Sequence, residues 1–268
     1  MESILTRKSV RTFSGESLTE KEVNLINKYI SKRENLIGPN GNKTRIILKE
    51  THGKLNGKIG TYGVISKAPA FLIAICKNEK DSLLDCGFVF ENLVLYLESY
   101  GLGTCWLGAT FKREELAISQ KLESDEFIPI ISPVGKAARR QGLKEKAFRK
   151  MVEGDKRKDF DDLFYKYDFT NKMNDPRSKN HLEMVRLAPS ASNKQPWRVI
   201  MNDEGTAHFY LERTPGYDGL KAGYDIQMLD MGIAISHYVM SSGKSNYVVE
   251  NPQISPLSEL TEYVCSIR

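Results

Sequence analysis

Long apolar runs are absent from this 268-residue sequence. A membrane-spanning helix needs about twenty consecutive apolar residues. Every stretch approaching that length is interrupted by a charge, so no membrane association is expected. Residues 1–8, MESILTRK, carry charges where a secretory leader would be apolar, and the expectation is a cytoplasmic protein. Cysteine is scarce. Cys76, Cys86, Cys105 and Cys265 form no C-x-x-C pair and no zinc spacing, so they read as reduced, partly buried thiols and no metal is expected. His52, His181, His208 and His237 are scattered along the chain, and each reads as structural. Charge of one sign is lacking too: 39 Lys and Arg stand against 34 Asp and Glu, a net +5. So mild an excess fits either a solvated surface or an anionic small-molecule ligand. Basic residues cluster at Lys136, Arg139 and Arg140 and at Lys156, Arg157 and Lys158, without the interleaved aromatics on which single strands stack. No nucleic-acid partner is expected.

What is present is a globular composition, 40% apolar and 27% charged, in a chain long enough for one large domain or two ordinary ones. Thr19 with Glu22 three residues on is a capping-box pattern, and Val23, Ile26 and Ile30 then mark one helical face. Residues 45–48, 70–75, 128–131, 197–201 and 208–211 are short, apolar runs that predict strands, the first three buried. Pro133 and Gly135 are expected to close the strand at 128–131. Residues 88–97 predict a helix apolar on nearly all sides, and a second helix is expected around 227–240, followed by a tail. The charged stretch 136–158 offers little for a core and reads as a connection across the surface.

The pattern restarts near Asp159. Asp85-Cys86-Gly87 opens the first apolar helix and Asp230-Met231-Gly232 the second. GPNGNK at 38–43 precedes one strand, and APSASNK at 188–194 precedes another at a nearly equal offset. Two local matches in the same order predict an internal repeat: two related α+β halves, residues 1–150 and 151–268.

Three segments carry the chemistry. RKSVRTF at 7–13 sets three cations and a hydroxyl within five positions, enough donors for one phosphate, although a charged N-terminal segment can also be idle. GLGTCWLG at 101–108 has glycines that let backbone approach a flat ligand, or that simply turn the chain and pack Trp106. APSASNKQPW at 188–197 holds hydroxyls and two carboxamides between prolines, more polar groups than a plain turn can satisfy. Carboxamides both donate and accept, which suits the edge of a heterocycle.

These strings resemble the nitroreductase family. RKSVRTF is similar to its R-R-S-V-R-x-F phosphate motif, GLGTCWLG to its later glycine-rich segment, and PSASNKQPW to its P-S-x-x-N-x-Q-P-W loop. Ordinary family members carry that loop soon after the first motif, and two identical subunits share each flavin. Here the early position holds PNGNK at 39–43, a degraded copy, and the full loop lies in the second half. The second half in turn lacks the glycine-rich segment. The resemblance therefore implies a nitroreductase-like α+β fold made of two fused halves, an intrachain pseudo-dimer with one complete flavin site, and a monomer in solution. It implies bound FMN, NADH or NADPH as reductant, and ping-pong hydride transfer through flavin N5 to a small-molecule acceptor such as a nitroaromatic or quinone. Carried over by residue, Arg7, Lys8, Ser9 and Arg11 would hold the phosphate and ribityl chain, with Arg157 as a further phosphate contact. Leu107 and Gly108 would lie along the ring, and Pro189, Ser190, Ala191, Asn193 and Gln195 would cover it. No side-chain acid or base is required, so no catalytic residue is assigned. Two other readings stand beside this one: a non-catalytic flavin-binding sensor, and a same-fold enzyme of different chemistry, such as reductive dehalogenation or flavin fragmentation.

Overall fold

The computed structural model describes residues 1–51, 64–108, 111–140, 142, 145, 156–215 and 223–268. The first unit opens with a short helix α1 (Glu2–Thr6) and then α2 (Glu20–Ile30). Thr19 caps α2 as its spacing predicts: Thr19 Oγ1 accepts from Glu22 N at 3.3 Å, and Glu22 Oε2 accepts from Thr19 N at 2.7 Å. Strands β1 (Arg45–Glu50) and β2 (Ala70–Lys77) lead into the long helix α3 (Lys80–Glu98). Then come β3 (Gly103–Thr104), α4 (Arg113–Gln120) and β4 (Glu126–Gly135). The second unit begins with α5 (Phe160–Leu163), β5 (Phe164–Lys166) and β6 (Asp168–Lys172). Helix α6 (Pro176–Arg186) follows, with Asp175 accepting from Arg177 N and proline at its first turn. Strands β7 (Trp197–Met201) and β8 (Ala207–Glu212), helix α7 (Ile226–Ser242), β9 (Tyr247–Val248) and β10 (Thr261–Ile267) complete the chain.

The first sheet has the order β1-β2-β4-β3, antiparallel throughout. The second has the order β6-β5-β7-β8-β10-β9. Its β7-β8-β10-β9 portion repeats the first sheet strand for strand, with α7 between β8 and β9 as α3 stands between β2 and β3. The register shifts near Ala74 and Cys76 where β2 meets β4, and near Tyr263 and Cys265 where β10 meets β8. Strands β5 and β6 extend the second sheet outward, β5 running parallel to β7. Side chains of β2 alternate between two cores: Ala70, Leu72 and Ala74 face the helices, while Phe71, Ile73 and Ile75 meet Val10, Phe13 and Leu107 on the other face.

Helices α3 and α7 cross at the centre with backbones almost touching. A side chain on Gly87 would strike the Leu229 carbonyl, and one on Gly232 would strike the Leu84 carbonyl. The contact is reciprocal, because Leu229 and Gly232 stand in α7 where Leu84 and Gly87 stand in α3.

Several expectations are corrected. Strand β1 is an edge strand with only Ile46 buried, since one of its sides pairs with no strand among the described residues. Helix α3 begins at Lys80, so Asp85 and Gly87 lie inside it, and Asp230 likewise lies inside α7. Strand β4 continues through Pro133 to Gly135. The expected tail returns as β9 and β10, and β10 is inserted between β8 and β9. The charged stretch is more than a surface connection, for Glu145 is 4% exposed and its Oε1 accepts from Arg11 N. His52 and most of the stretch's second half, including the 150/151 boundary, lie outside the described residues. Among the described residues no helix is long and apolar enough to cross a membrane.

Candidate functional site

The first two segments are brought together. Residues 9–13 run as a strap beside the first sheet: Ser9 bridges Thr104, Thr12 bridges Ser66 and Phe13 bridges Ala137. Val10 N donates to the Thr104 carbonyl at 2.8 Å. Gly103 is required by this approach, since a β-carbon there would lie 2.6 Å from Val10 Cγ2. Burial pushes the Cys105 thiol up, while Arg11, a hydrogen bond from Ser9, and Arg7 pull it back and Glu145 adds to the rise. Arg11 is 9% exposed; Lys8 points to solvent. Leu107 is buried and exchanges both backbone hydrogen bonds with Ile131. Gly108 sits against the second unit: its carbonyl accepts from Arg113 Nη2 at 2.6 Å and from Tyr224 OH at 3.2 Å.

The strap is tied to the helix crossing through Glu91, a residue to which the sequence reading assigned nothing. Glu91 is fully buried; its Oε1 lies 3.8 Å from Arg7 Nε and 3.0 Å from His237 Nε2. Its Oε2 accepts from Trp106 Nε1 at 2.8 Å. His237 Nδ1 lies 2.9 Å from the Met184 carbonyl, at the end of α6 and just before the third segment. Ile4 of α1 packs with Leu95, Met184 and Leu187 in the same region. One glutamate therefore touches the first segment, the second segment and α7. The available signal was a carboxylate, followed by Asn92, inside the mainly apolar run 88–97.

The third segment is held in an unusual backbone: Ser192, Asn193 and Gln195 have φ of 48°, 55° and 48°. Left-handed conformations in residues other than glycine cost roughly 1–2 kcal/mol each and persist only where the surroundings impose them. The surroundings are the residues 156–158. Asn193 Nδ2 donates to the Lys156 carbonyl at 2.9 Å, Arg157 Nη1 donates to Asn193 Oδ1 at 3.4 Å, and Lys158 N donates to Gln195 Oε1 at 2.8 Å. Gln195 N donates to Ser190 Oγ at 2.8 Å. Both carboxamides thus brace the loop. Arg157 belongs to this cluster, donating also to the Leu187 carbonyl. Burial, followed by Arg198, lowers the nearby Lys158 ammonium to about 8. Among the predicted site residues, Arg7, Ser9, Arg11, Leu107 and Gly108 form one group, and Arg157 and residues 189–195 a second. A path from Glu91 through His237 reaches Met184 in α6, the helix that leads into the second group.

The loop rests on α7 through Asp230, whose Oδ1 accepts from Ala191 N at 2.9 Å. In the first unit Asp85 plays the matching part and accepts from the backbone and side-chain amides of both Asn40 and Asn42. Asp230 Oδ2 is buried with no hydrogen-bond partner among the described residues. Burial pushes the Asp230 carboxyl well above the carboxylate range; the Ala191 N–H pulls it back and Asp225 adds to the rise. The folded chain then keeps a proton that the unfolded chain releases, so stability falls as pH rises above the unfolded value of about 3.9. Asp230→Asn is expected to remove this loss and to raise the thermal midpoint at pH 7 relative to pH 4. A variant whose midpoint varies with pH as the wild type's does would assign the effect to another group.

Placed beside known proteins, this is the nitroreductase fold. A crystal structure from Thermotoga maritima, described as a putative nitroreductase, aligns with a TM-score of 0.56 at 22% identity over 99% of this chain and 91% of that one. A nitroreductase family protein of Clostridium novyi aligns at 19% identity over 52% of this chain and 84% of its own, with a TM-score of 0.40. An FMN-dependent nitroreductase of Clostridium difficile aligns at 17% identity over 56% and 96%, with a TM-score of 0.42. No curated protein matches the sequence. The family model described as Putative TM nitroreductase matches residues 1–242, and the chain belongs to that family: it is a nitroreductase-type oxidoreductase.

Proposed function

We propose that this chain is an FMN-dependent oxidoreductase that uses NADH or NADPH to reduce a small electron-poor acceptor, a nitroaromatic or a quinone-like compound. The supporting observation is Arg7. Its side chain is 5% exposed, yet Nη1 has no hydrogen-bond partner among the described residues. A buried guanidinium with a spare donor fits a phosphate oxygen, and Arg11 and Ser9 lie on the same strap. The residues present therefore suit the phosphate end of FMN, with Lys8 at the solvent edge. When bound, FMN would supply the redox centre that no side chain provides. The protein's part is to hold, orient and shield it. Leu107 already donates its N–H to Ile131, so a backbone donor toward the ring falls to Gly108. Pro189, Ser190, Ala191, Asn193 and Gln195, with Arg157 bracing them, would form the cover.

We also read the two units, 1–150 and 151–268, as a fused pseudo-dimer. The repeated sheet order and the reciprocal Gly87 and Gly232 contacts support this reading. One chain would then supply both sides of its single site, and a monomer would suffice, acting in the cytoplasm on small molecules. The degraded loop fits a lost second site, because residues 39–43 lack the Gln-Pro-Trp that ends the full loop at 195–197. The test is the visible spectrum of the purified protein, with flavin counted after heat release and then mixed rapidly with NADH or NADPH. About one FMN per chain, bleached by one of the nicotinamides, is expected of such cofactor chemistry. Absence of flavin even after FMN is added would remove the reading. A flavin that neither nicotinamide bleaches would leave a binder and not a reductase.

A further inference from the structure

His237 and Glu91 are fully buried where α3 and α7 cross. His237 Nδ1 faces the Met184 carbonyl, which can only accept, so Nδ1 carries a hydrogen. Nε2 faces Glu91 Oε1 at 3.0 Å, and two lone pairs do not face each other at that distance in a dry site. A further hydrogen therefore lies between them. Whichever atom holds it, carboxyl and imidazole together are neutral. This matters for Arg7, 3.8 Å from the same carboxyl oxygen. A lone carboxylate would orient the guanidinium and also cancel its charge. A carboxylate already matched by an imidazole orients it and leaves the positive charge unspent.

The helix crossing itself does not demand such a pair. In α7, Ser236 and His237 stand where Glu91 and Asn92 stand in α3, so exchanging the units maps the Glu91–His237 contact onto Ser236 and Asn92. That second contact is an uncharged hydrogen bond of 2.9 Å. The same crossing is thus held by neutral groups on one side, and only the side bearing Arg7 and Trp106 has the charged type.

We propose that Glu91 and His237 are a positioning pair, one from each unit, that fixes Arg7 for a phosphate group while keeping its positive charge uncompensated. The identity of that phosphate as the FMN phosphate rests on the function proposed above. The test compares FMN with riboflavin, which lacks the phosphate, by titration of wild type, Glu91→Gln, His237→Gln and the double variant. His237→Gln leaves the carboxylate unmatched beside Arg7, and its preference for FMN over riboflavin is expected to fall about tenfold or more. Glu91→Gln keeps the shape and the net charge but loosens Arg7, so the preference should fall by roughly threefold. The double variant should recover to the level of Glu91→Gln, because the unmatched carboxylate is gone. A role in packing alone predicts equal losses for FMN and riboflavin and a double variant worse than either single one; that result overturns the proposal. Should His237→Gln fail to fold, an unchanged preference in Glu91→Gln overturns it as well. Wild type that binds riboflavin as tightly as FMN would refute the positioning role and spare the flavin site. Wild type that binds neither would refute the flavin site itself.

Discussion

A single methyl group at Gly232 is expected to destabilise the fold severely. A β-carbon there would lie 2.0 Å from the Leu84 carbonyl oxygen and 2.7 Å from Phe88 N. At Gly87 it would lie 2.2 Å from the Leu229 carbonyl oxygen. Every one of these atoms is backbone, so no rotamer change relieves the contact. The helices would have to part by roughly 1 Å, which undoes close packing along the whole crossing. Overpacking commonly costs about 1–3 kcal/mol, and a backbone collision between two central helices belongs at or above the top of that range. A domain stable by about 5–15 kcal/mol loses much of its margin. Gly87→Ala and Gly232→Ala should both express poorly and melt far below wild type. An unchanged thermal midpoint in either would show that the helices do not approach so closely. Because the contact is reciprocal, the two variants should be similarly damaged.

The second large effect concerns Arg7→Ala, which should cost about a hundredfold in FMN affinity while leaving riboflavin affinity nearly intact. Charge-assisted hydrogen bonds are worth about 1.5–3 kcal/mol, and a buried guanidinium offers more than one. The fold should survive, because Glu91 retains His237 and Trp106 as partners. Arg7→Lys should recover only part of the loss, since an ammonium lacks the planar fork. Heat-released flavin per chain together with equilibrium titration decides it. Undiminished FMN binding by Arg7→Ala would place the phosphate elsewhere.

Much of this architecture was legible in local chemistry. The Thr19 and Glu22 capping box marks the start of α2 because both partners lie within one turn. Strands β2 and β7 follow from short, mainly apolar runs of aliphatic and aromatic residues, and each is fully or almost fully buried. The repeated Asp-x-Gly lies at the one place where two helices need a small residue and a loop needs a carboxyl acceptor. Other features escaped because their cause is remote. Residues 45–48 are as apolar as a central strand, and only the sheet order leaves them at an edge. Residues 261–267 are strand-like but follow a polar stretch, and their place between β8 and β9 depends on partners far back in the chain.

The sequence by itself determined the α+β class, the internal repeat and the three candidate segments, since each is encoded in neighbouring residues or in a short recurring string. Only the tertiary structure decided which of these groups meet. Glu91 and His237 are 146 residues apart, and each alone reads as a buried polar residue of no stated use. Asn193 and Gln195 read as groups free for a ligand until the chain at 156–158 takes their hydrogen bonds. Local spacing specifies a helix face or a turn, whereas a partner brought by folding specifies what a buried charge touches, and in a low-dielectric interior that contact sets its chemistry.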